Sequence, residues 1–157
     1  LMVRFDLVAM GGTFDIIHIG HIALLEAAFS VSKKVIIGLT SDDLAKKKGK
    51  HLRLTYLQRF DALKQFIEKN FQNKEYLISE LDNDFGPAAI EGNVQALIVS
   101  EETAYQGEIL NKLRSEKNLG PVETVVVPMV LARDGKRIST TRIRNSEIDA
   151  QGNLLTN

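Results

Sequence analysis

The sequence predicts an α/β domain: a doubly wound, five-stranded parallel sheet with helices on both faces. Three observations carry that prediction. Five short runs are apolar at consecutive positions, as in strands buried on both faces. Longer stretches with helical spacing separate them, the rhythm of strand–helix–strand units. A chain of 157 residues supports one domain with a real core, and is short for two.

The elements follow in order. "FDLVAM" (Phe5 to Met10) reads as a buried strand, and "HIALLEAAF" as a helix with Ile22, Leu25, Ala28 and Phe29 inward. "KVIIGLT" (Lys34 to Thr40), rich in β-branched residues, is a second strand, followed by a polar, lysine-rich loop. Leu57, Phe60, Leu63 and Ile67 mark a helix over 55–69, with Thr55 as N-cap. "EYLISEL" (Glu75 to Leu81) is a third strand, and "DNDFGPA" a turn leading into a short helix with Pro87 at its first position. "QALIVS" (Gln95 to Ser100) is a fourth strand. A helix over 103–118 turns Ile109, Leu110 and Leu113 inward, "GP" breaks it, and "VETVVVP" (Val122 to Pro128) is a fifth strand. A last short helix starts near Ser139. This is a Rossmann-like order, and ligands of such sheets bind outside the carboxyl ends of the strands, where the strand order reverses. Residues 2–148 are read as the single domain, Leu1 as an addition before Met2, and 149–157 as a loosely packed tail.

Composition narrows the function. Hydrophobic residues make up 44% and charged residues 25%, a soluble globular balance. No apolar run approaches a membrane span and no secretory pattern opens the chain. The absence of cysteine rules out disulfides, zinc–thiolate sites and cysteine nucleophiles, and fits a cytoplasmic protein. The net charge of zero argues against nucleic acid as partner. Half of the 20 Lys and Arg residues nevertheless fall in two windows, "KKKGKHLR" (from Lys46) and "RDGKRISTTRIR" (from Arg133). Two local basic clusters on a neutral chain suit a small polyanion better than a long one; the plain alternative is two solvated loops.

"GGTFDIIHIGH" (Gly11 to His21) occupies the first strand-to-helix turn. Gly11 and Gly12 let the backbone approach a ligand closely. His18 and His21, three apart, project from nearly one face of the first helical turn, and Gly20 between them keeps that face open. Free amides at the helix start add an anion site. The arrangement suits a phosphate held against two imidazoles. The alternatives are two polar helix caps, or zinc, for which no third ligand is placed nearby.

This stretch resembles the HxGH signature of the nucleotidyltransferase superfamily, and "ISTTRIR" (Ile138 to Arg144) resembles its second signature, ISSTxxR. Within the superfamily the chain resembles the archaeal and eukaryotic type of phosphopantetheine adenylyltransferase, through "GLTSDDLAKKKGK", "DFGPA", "VSEET", "LNKLR" and "DGKRISTTRIR" as well. The resemblance runs to about Ile148. It implies adenylyl transfer from ATP to 4′-phosphopantetheine, giving dephospho-coenzyme A and pyrophosphate. The acceptor phosphate attacks the α-phosphorus in line and is already ionised near neutral pH. Positioning and charge stabilisation therefore do the catalysis.

By the same resemblance, His21 contacts the α-phosphate and His18 another nucleotide phosphate. Thr13 offers a hydroxyl to the acceptor phosphate, and Lys46 is the mobile lysine, with Lys48 as its rival. Gly11, Gly12, Phe14 and Gly20 line the nucleotide. Ser100 and Glu101 serve adenosine, or alternatively cap the next helix. Asp84 lies near the pantetheine arm. Ile138, Ser139, Thr140 and Thr141 hold the β- and γ-phosphates, and Arg144 clamps departing pyrophosphate. Thr140 stands where the signature usually has a second serine, and Arg142 is open to a structural role. Magnesium is expected to travel with the triphosphate, because no carboxylate cluster suggests a protein-built metal site. No oligomeric state is specified.

Three classes of rival remain in view. FMN adenylyltransferase and glycerol-3-phosphate cytidylyltransferase resemble the same opening motif, but the RTxGISTT-like second motif of the cytidylyltransferases fits poorly. A nucleotide-binding module without turnover would need one motif degraded, and both look intact. A helper of RNA chemistry, like the related synthetases, would need a further domain and basic charge.

Overall fold

The structure is a computed structural model and describes residues 3–155. Five strands form one parallel sheet: β1 (Phe5–Gly12), β2 (Ser32–Thr40), β3 (Glu75–Leu81), β4 (Ala96–Ser100) and β5 (Glu123–Val127). Their spatial order is β3-β2-β1-β4-β5, so the order reverses between β1 and β4. The helices are α1 (Ile19–Val31), α2 (Asp42–Lys47), α3 (Tyr56–Asn70), α4 (Gln106–Glu116) and α5 (Thr140–Arg144), with 3-10 turns at Gly86–Ala89 and Glu101–Thr103. The predicted doubly wound class is the one observed.

The period of two along β1 accounts for the two cores. Val8 and Met10 face α1 and α3, in a cluster with Leu25, Phe29, Leu63 and Ile67. Leu7 and Ala9 face the other way, with Val94, Val99 and Leu110. Only the inner strands are apolar on both sides. On the edges, Leu77 of β3 is 51% exposed and Val126 of β5 46%. The expectation of full burial thus fails at the rims, where the sheet ends.

Helix starts obey local chemistry. Thr55 and Gln58 cap each other across the first turn of α3. The lysine-rich segment read as a loop begins instead as α2: Ser41 Oγ accepts from Leu44 N, with Asp42 and Asp43 in the first turn and Lys46 and Lys47 in the last. Those charges complement the helix dipole. Two inward assignments are corrected. Leu57 and Ile109 are exposed, and α3 and α4 each bury an arginine instead, Arg59 and Arg114. Each arginine is covered because its donors are met, those of Arg114 by backbone carbonyls and those of Arg59 by carbonyls and the Asp42 carboxylate.

The tail is the largest departure. Residues 149–155 are not loosely packed. Ile148 is fully buried with Ala132 and Ile138, against Ile19 of α1. Ala150 O accepts from Ile19 N (3.0 Å), Gly152 O from Arg133 N (2.9 Å), and Glu147 O from Leu155 N (3.0 Å). Gly152 has φ 82°, and a Cβ there would lie 2.9 Å from Ile138, so only glycine fits this turn. Met2 and residues 156–157 lie outside the described residues.

Candidate active site

A cavity of about 690 Å³ opens at the carboxyl ends of the strands, beside the β1/β4 reversal. The β1–α1 turn forms its floor. Phe14 turns the chain there with φ 52°, is buried, and packs its ring 4.7 Å from that of His21. Gly11, Gly12, Thr13 and Phe14 all line the cavity.

The two histidines stack with ring centroids 3.9 Å apart. Each also caps α1. His18 Nδ1 accepts from Gly20 N (3.1 Å), and His21 Nδ1 accepts from His18 N (3.2 Å). A ring nitrogen that accepts an amide hydrogen carries no proton, so each neutral ring bears its proton on Nε2. Burial, then the charge of Arg137, lowers His18 to about 4. Burial, then His18, lowers His21 to about 3, with Lys50 adding to this and the Ile16 carbonyl opposing it. Both rings are therefore neutral donors at neutral pH. Cap and ligand group, posed as alternatives by the sequence, are compatible: one ring nitrogen serves each.

Two expectations change here. The leading amides of α1 are not free, because Ile19 N is taken by Ala150 O and Gly20 N by His18. What the turn leaves toward the cavity is the imidazole edges. Gly20 is also needed for a different reason than openness: a Cβ there would lie 2.9 Å from the His18 ring.

The lysines lie differently from expectation. Lys46 is exposed on α2 and does not line the cavity. Lys50 does; its Nζ donates to Thr13 Oγ1 (2.9 Å). Burial, then the charges of Lys48 and Arg59, pushes the Lys50 ammonium below its ordinary pKa. Lys48 pairs with Asp84 across the cavity mouth, so both predicted residues reach the cavity, but as a pair.

At the other end Ile138, Ser139, Thr140, Thr141 and Arg144 line the cavity. Ser139 Oγ is occupied as N-cap of α5, accepting from Arg142 N (3.1 Å), and Ile138 is buried in the small third cluster. Arg144 Nη1 donates to His51 O, which joins the two basic windows across the cavity. Arg142 is structural, bound to Asp134, Glu147 and the Arg137 carbonyl. Ser100 lines the cavity and exchanges a hydrogen bond with Thr103. Glu101 does not; its carboxylate accepts from Met129 N (2.8 Å) and braces the segment after β5. Glu102 takes its place at the wall, paired with Arg137 (2.9 Å).

A family model described as cytidylyltransferase-like matches residues 9–146. The phosphopantetheine adenylyltransferase of Pyrococcus abyssi is 42% identical over 154 residues, 97% of each chain. That of Thermococcus kodakarensis is 40% identical over 153 residues, 97% of this chain and 92% of its own. Among solved structures, a protein of unknown function from Archaeoglobus fulgidus matches with a TM-score of 0.69 at 27% identity, over 78% of this chain and 89% of that one. The chain belongs to the cytidylyltransferase-like family, among its phosphopantetheine adenylyltransferases.

Three further residues at or behind the cavity were given no role by the motifs, although Asp15 and Arg137 lie within them. Arg59 reaches the back of the Thr13 turn from α3. Asp15 is buried, and its carboxylate accepts from Arg53 N and Leu54 N, both at 2.9 Å. Arg137 lines the cavity and is paired with Glu102, in the turn that carries Thr103. A signal for Arg59 existed: it shares the spacing of four with Leu63 and Ile67, so a charge sits in the buried stripe.

Proposed function

We propose that this protein transfers the adenylyl group of ATP to 4′-phosphopantetheine, a step of coenzyme A biosynthesis. One observation carries the reading. The HxGH turn with Lys50, and the ISTTRIR segment with Arg144, face a single cavity from opposite sides.

The roles follow from chemistry. The acceptor phosphate would lie against Thr13 and Lys50, at the end where Lys48 and Asp84 guard the entrance. The Nε2–H edges of His18 and His21 would meet the α-phosphate and its neighbour. As neutral donors they would stabilise the charge on the α-phosphate oxygens in the transition state without a protonation step. Arg144, with the Thr140 and Thr141 hydroxyls, would hold the β- and γ-phosphates and accompany pyrophosphate as it departs. Ser100 and Thr103 would receive the adenosine end. The nucleophile is an anion already, so no general base is assigned.

Among the described residues no group of three or more His, Cys, Asp or Glu is placed to hold a metal. Of the three acids at the wall, Asp84 and Glu102 are paired with Lys48 and Arg137, and Asp15 accepts from the amides of Arg53 and Leu54. Magnesium would therefore be held by the triphosphate and water rather than by side chains, supplying charge neutralisation to the leaving pyrophosphate. Among the described residues no helix is long and apolar enough to cross a membrane. A cytoplasmic location goes with that, with the lack of cysteine, and with substrates of this kind.

The test is product formation from protein, magnesium, ATP and 4′-phosphopantetheine, read as dephospho-coenzyme A by mass and as released pyrophosphate. Parallel reactions contain FMN, nicotinamide mononucleotide, or CTP with glycerol 3-phosphate. Product in the first alone is the expected outcome. Product in another instead would move the substrate assignment. No product, from folded protein that binds ATP, would mean a binding module.

A further inference from the structure

The Arg59 side chain is fully buried, yet it has one carboxylate partner, Asp42, whose own side chain is 56% exposed. Its other partners are backbone carbonyls: Thr13 O (2.9 Å), Thr40 O (2.8 Å) and Leu54 O (3.3 Å). Burying a guanidinium costs stability unless every donor is met, and an apolar side chain of similar volume commonly does at least as well. What an apolar residue cannot do is fix three carbonyls relative to one another. These three come from the β1–α1 turn, the end of β2 and the basic loop, which are distant in sequence and meet only at the cavity.

The loop is gripped from two sides. Leu54 gives its carbonyl to Arg59 and its amide to Asp15. Lys50 lies upstream on the same loop, and its ammonium rests on the hydroxyl of Thr13, the residue whose carbonyl Arg59 holds. The contacts close a circuit: Arg59 to Thr13, Thr13 to Lys50, Lys50 along the loop to Leu54, and Leu54 back to Arg59. We propose that Arg59, seconded by Asp15, is a positioning residue that sets the reach of Lys50 into the cavity, so that lysine and Thr13 hydroxyl present one fixed anion contact. This rests on the adenylyl-transfer reading for what the contact does, but not for the circuit itself.

Arg59→Lys keeps the charge and removes the planar fork, so it cannot hold three carbonyls at once. Two readouts follow. Amide exchange at Arg53 and Leu54 should accelerate by about tenfold or more while the core of α1 is unchanged. The turnover number should fall by up to about tenfold, the scale of losing the Lys50 contact itself, with the KM for ATP within about twofold. The decisive arm is a cycle with Lys50→Ala. If Arg59 acts through the lysine, Arg59→Lys should cost little further turnover in the Lys50→Ala background. Unchanged exchange, or a full and additive loss of turnover in that background, would overturn the proposal. Should Arg59→Lys fail to fold, Asp15→Asn enters the circuit from the other side and is read in the same two ways. If the unaltered protein makes no dephospho-coenzyme A, the functional reading falls, and the exchange arm alone still decides whether Arg59 holds the lysine loop.

Discussion

Arg59 and Arg114 are the same device at opposite ends of the sheet. Both side chains are buried, 0% and 1% exposed as residues, and both are solvated largely by carbonyls. Arg114 holds Ala88 O (2.7 Å), Glu91 O (2.9 Å) and Gly120 O (2.8 Å), gathering the segments that enter β4 and β5. Arg59 holds the segments that leave β1 and β2. In a doubly wound sheet the carboxyl ends carry ligands and the amino ends do not. The difference teaches that burial of a charge says where loops are being organised, and the end of the sheet says to what purpose. Arg114 organises stability, Arg59 geometry of reaction.

That contrast can be broken by variants that separate turnover from stability. The largest effect is expected at the carboxyl end. His21→Ala removes an Nε2–H donor, and turnover should drop by about a hundred- to a thousandfold, as for other lost transition-state donors. ATP affinity should change far less; an equal loss of both would reduce His21 to its capping role. At the amino end, Arg114→Met strands several carbonyls and should cost about 3 kcal/mol in urea unfolding. Turnover per folded molecule should be unaffected, and a matching fall in it would dissolve the contrast between the two arginines.

Smaller effects sharpen the picture. Lys50→Ala should lower turnover by about tenfold, the scale of one charge-assisted hydrogen bond, whereas Lys46→Ala should change nothing measurable. The reverse order would restore the lysine chosen by motif. The smallest effect is on pH. Unfolded imidazoles bind protons near pH 6.5, but folded His18 does so only at about 4 and folded His21 at about 3. Between those values the unfolded state binds more protons, so stability is complete above 6.5 and declines as pH falls through the window. From pH 7 to pH 6 the pair should cost on the order of 1 kcal/mol. Urea midpoints of the unaltered protein should show this decline, and His18→Asn/His21→Asn should flatten it.

Much of the site was legible because its signals are local. The glycine turn, the paired histidines and the Ser139 cap each depend on residues within a few positions, and all reach the cavity. What was misread depended on distance through space. Lys46 and Lys50 sit in one run of like charges, and nothing in that run says which of them the chain turns inward. Glu101 and Glu102 are adjacent, and the 3-10 turn between β4 and α4 decides that one braces Met129 while the other meets Arg137. The tail is expected to be loose because it is terminal, yet Ala150 O holds the start of α1 through Ile19 N and Gly152 O holds Arg133 N.

The sequence by itself determined the order of the five strands and of α1, α3, α4 and α5, the Rossmann-like class, the Thr55 cap and the presence of two phosphate motifs. These rest on periodicity and on bonds between near neighbours, which any local stretch already encodes. Only the tertiary structure decided which lysine serves the cavity, which nitrogen of each histidine is free, and that Arg59 ties the turn to the loop. Each of those is a distance between segments tens of residues apart, set by how helices and strands pack and by the need to give every buried donor an acceptor.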